Sequence, residues 1–156
     1  MTEIDVKQIA KELISRTLVA YLATINENNE PEIRAVENIR CKEKFPKEAA
    51  ILEKYEKNLL INYISTNTSS KKIEHIKGNK TIALYYCVPQ EYKGVMLKGQ
   101  VEIVNNLALK KEMWDDSCMK YYPKGYTDPD YTLLKLKPNY IKAWIGLKYG
   151  VLEEKL

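Results

Sequence analysis

The stretch Ile64-Ser65-Thr66-Asn67-Thr68-Ser69-Ser70-Lys71-Lys72-Ile73 separates two apolar, β-rich runs. The run before it, Asn58-Leu59-Leu60-Ile61-Asn62-Tyr63-Ile64, predicts a strand, and Ser70 to Lys77 predicts a short helix stopped by Gly78. Five hydroxyl side chains, one amide and two ammonium groups occupy Ser65 to Lys72. A strand that opens into a polar loop and then a helix start aims backbone N–H groups at whatever sits in the loop. Two lysines there suit a phosphate group. A plainer reading stands beside it: Ser and Thr are ordinary helix N-caps, and surface lysines are commonly just solvated. Positive charge at a helix start opposes the helix dipole, which makes an anionic partner more plausible. Taken alone, the stretch leaves both readings open.

Outward from this loop, apolar spacing organises the rest of the chain. Val6, Ile9, Ala10, Leu13 and Ile14 recur at helical intervals and predict an amphipathic first helix. Leu18–Ile25 reads as a buried strand, Asn26–Glu30 as a turn, and Ile33–Ile39, after Pro31, as a second strand. Pro46 opens a helix over Lys47–Glu56, proline being tolerated at an early helical position. Thr81–Val88 is a strand, and Gly94–Val104 a long one whose two glycines mark a bulge or a close backbone approach. Leu107–Trp114 looks helical. Tyr131–Lys137 and Tyr140–Ile145 read as two closing strands split by Pro138-Asn139. The pattern contains no repeats or interdomain linkers. It predicts a mainly β fold with peripheral helices (α+β), a six-stranded antiparallel barrel forming one domain over residues 1–156, closure disposing of the exposed strand edges.

Composition narrows the chemistry. Hydrophobic residues make up 45% and charged residues 29%, the profile of an ordinary soluble globular protein. The net charge of +4 comes from 25 basic residues interleaved with 21 acids, so no concentrated basic stripe points to nucleic acid. Three scattered cysteines, Cys41, Cys87 and Cys118, fit reduced thiols rather than a disulfide or zinc framework. The single histidine, His75, speaks against serine-triad and zinc-hydrolase chemistry; within its helix it reads as a partly exposed residue rather than a base. The acidic start Met1-Thr2-Glu3-Ile4-Asp5 is no signal peptide, and no apolar run is long enough to span a bilayer. The expectation is a cytoplasmic protein without membrane partners.

The order strand, turn, Pro31-Glu32-Ile33-Arg34-Ala35-Val36, strand, Ser65–Lys72, short helix, strand, Gly94-Val95-Met96-Leu97-Lys98-Gly99-Gln100-Val101-Glu102 resembles the pyridoxamine 5'-phosphate oxidase-like FMN-binding split barrels. The later segment, Met113-Trp114, Tyr121-Tyr122-Pro123-Lys124-Gly125 and Asp128–Leu136 with the closing Ala143-Trp144, is similar to the general-stress-protein branch. The resemblance covers roughly residues 5 to 145. It implies a homodimer with FMN in clefts shared by the subunits. Arg34, Ala35, Val36 and Glu37 would run alongside the isoalloxazine ring, with Arg34 a phosphate or ring contact. Ser65 and Thr66 would line the ring or ribityl chain, and Ser70, Lys71 and Lys72 would hold the phosphate, in agreement with the electrostatic reading of the loop.

The resemblance also implies a flavin-dependent oxidoreductase acting on an unknown small substrate, the cofactor carrying the chemistry. Three departures qualify it. Residues Arg40–Lys57 replace a short turn and include a helix able to cover or alter the cleft. Glu37 places an acid near the ring, where it needs a partner such as Arg34 or Arg40. Some members of the superfamily have exchanged flavin for deazaflavin or heme. The alternative is therefore a split-barrel binding protein of stress-related role, holding heme, deazaflavin or another ligand without catalysis of its own. The pyridoxamine phosphate oxidase reaction itself is not expected, because those enzymes carry a longer C-terminal segment. Trp114, Tyr121, Tyr122 and Trp144 are expected in core or interface packing, and Cys87 as a buried structural thiol.

Overall fold

The computed structural model describes residues 3–154. Its first helix, α1 (Val6–Arg16), buries Val6, Ile9, Ala10, Leu13 and Ile14, the residues the spacing selects. Asp5 caps it by accepting from the Gln8 amide at 3.0 Å. Strands β1 (Val19–Ile25) and β2 (Pro31–Glu37) form a hairpin. The helix α2 (Pro46–Tyr55) follows, then β3 (Asn62–Asn67), α3 (Lys71–Gly78), β4 (Thr81–Val88), β5 (Lys93–Ile103), α4 (Leu107–Met113), β6 (Tyr131–Ile145) and β7 (Lys148–Glu153). All strand pairings are antiparallel.

Six strands curl in the order β2-β1-β4-β5-β6-β3, with β7 added beside β6. The two ends of this path, β2 and β3, approach one another without pairing, so the barrel is split between them. Inside it, Leu22, Ile64, Leu84, Leu97 and Leu134 pack with the apolar face of α1. A second, smaller core lies on the outer face of β3 and the start of β6. There Leu52 from α2 and Leu109 and Met113 from α4 meet Tyr63 and Leu133. The Arg40–Lys57 segment thus gives β3 a second buried face.

Buried polar groups fix where the chain leaves β2. Asn38 Nδ2 donates to the Ile14 and Thr17 carbonyls at 2.7 Å each, tying the strand end to the end of α1. Arg40, 3% exposed, donates from Nε and Nη2 to the Ile61 carbonyl at 3.2 and 2.8 Å. It also reaches the Glu56 carbonyl at 3.4 Å and lies over the Tyr63 ring.

The structure departs from the sequence reading at several points. Residues 131–145 form one continuous strand, not two split by Pro138-Asn139. Gly99 pairs with Pro138 and Lys98 with Tyr140, leaving Asn139 as the extra residue of a bulge. Proline is tolerated there because the ladder is already interrupted. Gly99 is required, since a Cβ would stand 2.4 Å from the Lys137 carbonyl oxygen. Beyond the last strand assigned from sequence, Lys148–Glu153 forms a further strand. Gly146, at φ 57°, and Leu147 turn β6 into β7, glycine at the first central position being the signal of a two-residue hairpin. Cys41 is buried, whereas Cys87 is only half-buried.

Candidate functional site

The predicted cofactor residues gather around the split, on elements that the sheet brings together from distant parts of the chain. On β2 the side chains alternate. Arg34 and Val36 turn toward the barrel interior, Val36 against the main core, while Ala35 and Glu37 lie exposed. Glu37 pairs with neither Arg34 nor Arg40 but with Lys44, at 2.6 Å, from the Arg40–Lys57 segment. Its charge is accounted for at the surface. On β3 the neighbours Ser65 and Thr66 face opposite ways, Ser65 exposed and Thr66 buried opposite Thr132.

The loop after β3 is held by Asp130. Its carboxylate accepts from the Ser69 amide at 2.8 Å and from Asn67 Nδ2 at 3.1 Å, and these bonds keep its pKa below the usual carboxylate value. The Thr68 amide donates to the Asp130 carbonyl at 2.8 Å, and Thr68 Oγ1 to the Pro129 carbonyl at 2.7 Å. Thus fixed, the chain enters α3 at Ser70. Ser70 occupies the N-cap, yet its hydroxyl makes no capping bond. Its Oγ is buried and has no partner among the described residues. A buried hydroxyl without a partner is costly unless something else satisfies it.

The two lysines separate. Lys71 is 80% exposed at its side chain and pairs with Glu74 at 3.0 Å, which raises its pKa. Lys72 is half-buried, and its pKa is lowered by burial and then by the charge of Arg34. Burial lowers the pKa of Arg34 as well. Among the described residues neither Arg34 nor Lys72 forms an ion pair. Arg34 and Lys72 are thus two partly desolvated cations close enough for the charge of Arg34 to act on Lys72, on the helix that opens with the unsatisfied Ser70 hydroxyl. Of the residues expected to hold a phosphate, Ser70 and Lys72 are buried or half-buried, whereas Lys71 is exposed and paired with Glu74.

Sequence reasoning missed two residues of this corner. His75 is buried at 5% exposure, not partly exposed, and its Nδ1 lies 2.9 Å from Thr24 Oγ1 on β1. Thr24, itself fully buried, accepts from Arg34 Nη1 at 2.6 Å. The available signal was spacing: Ile73 and Ile76 flank His75, so the inward arc of so short a helix includes it.

Beyond Ser65 lies an aromatic cluster. Trp114, Tyr122 and Tyr131 meet with ring centroids 5.2 to 6.3 Å apart, and Tyr122 Oη donates to Asn67 Oδ1 at 3.1 Å. Burial raises the Tyr131 phenol to about 12. Trp144 stacks edge-on with Tyr85, centroids 6.1 Å apart, on the outer sheet face. Tyr121 stays 64% exposed. A separate depression of about 220 Å³, lined by Lys7, Leu60, Lys137, Pro138 and Leu152 among others, touches none of the predicted cofactor residues. Among the described residues no helix is long and apolar enough to cross a membrane.

Comparison with known proteins agrees with this architecture. No curated protein matches the chain significantly. A solved protein from Clostridium acetobutylicum, related to general stress protein 26 of B. subtilis (pyridoxinephosphate oxidase family), is 30% identical, with 96% of each chain covered and a TM-score of 0.72. A heme binding protein from Mycobacterium smegmatis shares the fold at 14% identity, TM-score 0.65, over 98% of this chain and 60% of its own. A pyridoxamine 5'-phosphate oxidase-related, FMN binding protein from Nostoc punctiforme does so at 12% identity, TM-score 0.58, over 97% and 94%. The family model for pyridoxamine 5'-phosphate oxidase like proteins matches residues 51–149. With the split barrel, the loop into α3 and the 30% identical relative all in agreement, the chain belongs to the pyridoxamine 5'-phosphate oxidase-like family.

Proposed function

We propose that this protein binds FMN non-covalently at the split between β2 and β3 and serves as a flavin-dependent oxidoreductase on a small substrate. The observation that carries the reading is the corner made by Arg34, Lys72 and the unpartnered Ser70 hydroxyl. A phosphate there would neutralise two cations that repel each other, and would accept from the hydroxyl and from the free amides of the first helical turn. The Nostoc neighbour, described as FMN binding, shares the fold. Bound flavin supplies the electron or hydride transfer; the protein positions it and limits access to it. Ser65 and the edge of β2 from Arg34 to Glu37 are then placed to flank the ring.

The reading includes a homodimer. Tyr21 and Tyr85 are cross-strand partners on the outer face of β1 and β4, and Ile33 on β2 shares that face opposite Ala23; Ile33, Tyr21 and Tyr85 are exposed at 71%, 42% and 38%. Apolar side chains lined up on a sheet face are what a subunit interface covers. A second copy would also wall in a cleft that one chain leaves open.

The Mycobacterium neighbour, described as heme binding, raises the second reading. The one histidine of this chain is enclosed and already bonded to Thr24, so it offers no exposed imidazole to iron. That geometry favours flavin. Titration of the purified protein with FMN, followed by flavin fluorescence, tests the assignment. Wild type should bind, and Arg34→Ala and Lys72→Ala should each bind about tenfold or more weakly, a change of about 1.4 kcal/mol per decade. Equal affinity in all three proteins would remove the phosphate from this corner.

A further inference from the structure

Arg34 is held on one side and open on the other. Its Nη1 donates to three acceptors on the β1–β2 hairpin: Thr24 Oγ1 at 2.6 Å, the Glu32 carbonyl at 3.1 Å and the Leu22 carbonyl at 3.3 Å. Its Nη2 and Nε have no partner among the described residues, and that edge of the guanidinium is the one that grips two oxygens of an anion at once. The direction of the open edge depends on what holds the closed one.

The strongest of the three bonds runs to a hydroxyl, and the hydroxyl is itself held. Arginine can only donate, so Thr24 Oγ1 is the acceptor, and its own proton remains free to donate. The atom 2.9 Å away is His75 Nδ1. Donation from Thr24 leaves the ring proton on Nε2, which faces Glu32 Oε2 at 3.6 Å. Three side chains from β1, β2 and α3 are thereby hydrogen-bonded in one chain, His75 to Thr24 to Arg34, with the Glu32 carboxylate near its far end. Thr24 is 0% and His75 5% exposed. These two buried polar groups are satisfied by each other and, through Thr24, by Arg34, so removing either leaves the rest of the chain short of a partner.

We propose that Thr24 and His75 are positioning residues for the anion site: through the Thr24 hydroxyl they set the plane of the Arg34 guanidinium so that its open edge meets the phosphate of FMN. The inference rests on the flavin reading above. The relay also explains why α3 carries both a phosphate lysine and a buried histidine. Lys72 lies in the first turn and His75 in the next, so one helix supplies a charge to the anion and a brace for the arginine opposite it.

The test compares FMN with riboflavin, which lacks the phosphate. Thr24→Val keeps the shape of the side chain and removes the hydroxyl. It should lower FMN affinity about tenfold while leaving riboflavin affinity unchanged, and Thr24→Ser should restore most of the loss. A merely structural role would lower both affinities together and would not be rescued selectively by serine. If Thr24→Val does not fold, His75→Gln carries the same comparison, with a smaller selective loss of FMN expected. Wild type that binds FMN, together with a Thr24→Val protein of unchanged or equally reduced affinity for both ligands, overturns the positioning role alone. Wild type that takes up neither ligand overturns the flavin reading and this inference with it.

Discussion

Lys72 stands half-buried beside Arg34, each cation partly stripped of water and neither in an ion pair among the described residues. On the proposed flavin reading, such a pair works against the folded chain unless an anion is bound. Lys72→Met should therefore raise the melting temperature of FMN-free protein while weakening FMN binding. The pH dependence has a definite sign. The folded-state pKa of Lys72 lies below 10.5, so between that lowered value and 10.5 the unfolded chain holds more protons. Its contribution to stability therefore rises with pH through that window. The rise should be missing in Lys72→Met, as read by thermal melts of both proteins across alkaline pH.

Asp130 supplies the opposite case. Hydrogen bonds from the Ser69 amide and Asn67 hold its folded pKa below 3.8. The stability it contributes is present above that value and is lost as pH falls through the lowered one. Asp130→Asn should flatten the acid limb of the stability profile and loosen the loop ahead of Ser70, with a fall in FMN affinity. An unchanged acid limb would show that the carboxylate does not hold the loop.

Arg40 ties the Arg40–Lys57 segment to the entry of β3 through the Ile61 and Glu56 carbonyls, which no other side chain among the described residues reaches. Arg40→Met leaves the Ile61 carbonyl without that donor, at a cost of about 1–3 kcal/mol. Hydrogen exchange should accelerate in α2 and at the start of β3, with little change in the β1–β2 hairpin. Uniform acceleration would mean that the segment is no separate unit.

Ile33, at 71% exposure, sits at the centre of the dimer reading. Ile33→Glu puts a charge on the face that a second copy would cover. Gel filtration should show a dimer for wild type and a monomer for the variant, with weaker FMN retention because the cleft loses its second wall. A monomeric wild type would contradict the shared cleft.

Much of this fold was legible in the chain because its determinants are local. The spacing of Val6, Ile9, Ala10, Leu13 and Ile14, the proline at 46 and the glycine pair of β5 each dictate their element through sterics or periodicity. Pro138 misled because its effect depends on the partner strand: only the close approach of Gly99 makes a bulge there rather than a break. The hairpin at Gly146-Leu147 was overlooked although its turn glycine was in view. At the site, the composition of the loop from Ser65 to Lys72 suggested an anion partner. What it withheld was direction. That Lys71 is exposed beside Glu74 while Lys72 is half-buried follows from how α3 packs against β1. The burial of His75 follows from that same packing. The partner of Glu37 proved to be Lys44, from the very segment whose role was open.

Whether this barrel holds FMN is tested most directly by the visible absorption spectrum. The protein is purified without added cofactor, then incubated with FMN and passed through gel filtration, with a heme-treated sample alongside. A flavin spectrum that stays with the protein peak, at one FMN per chain, is the predicted result. A colourless peak after FMN, with a retained Soret band after heme, would contradict it.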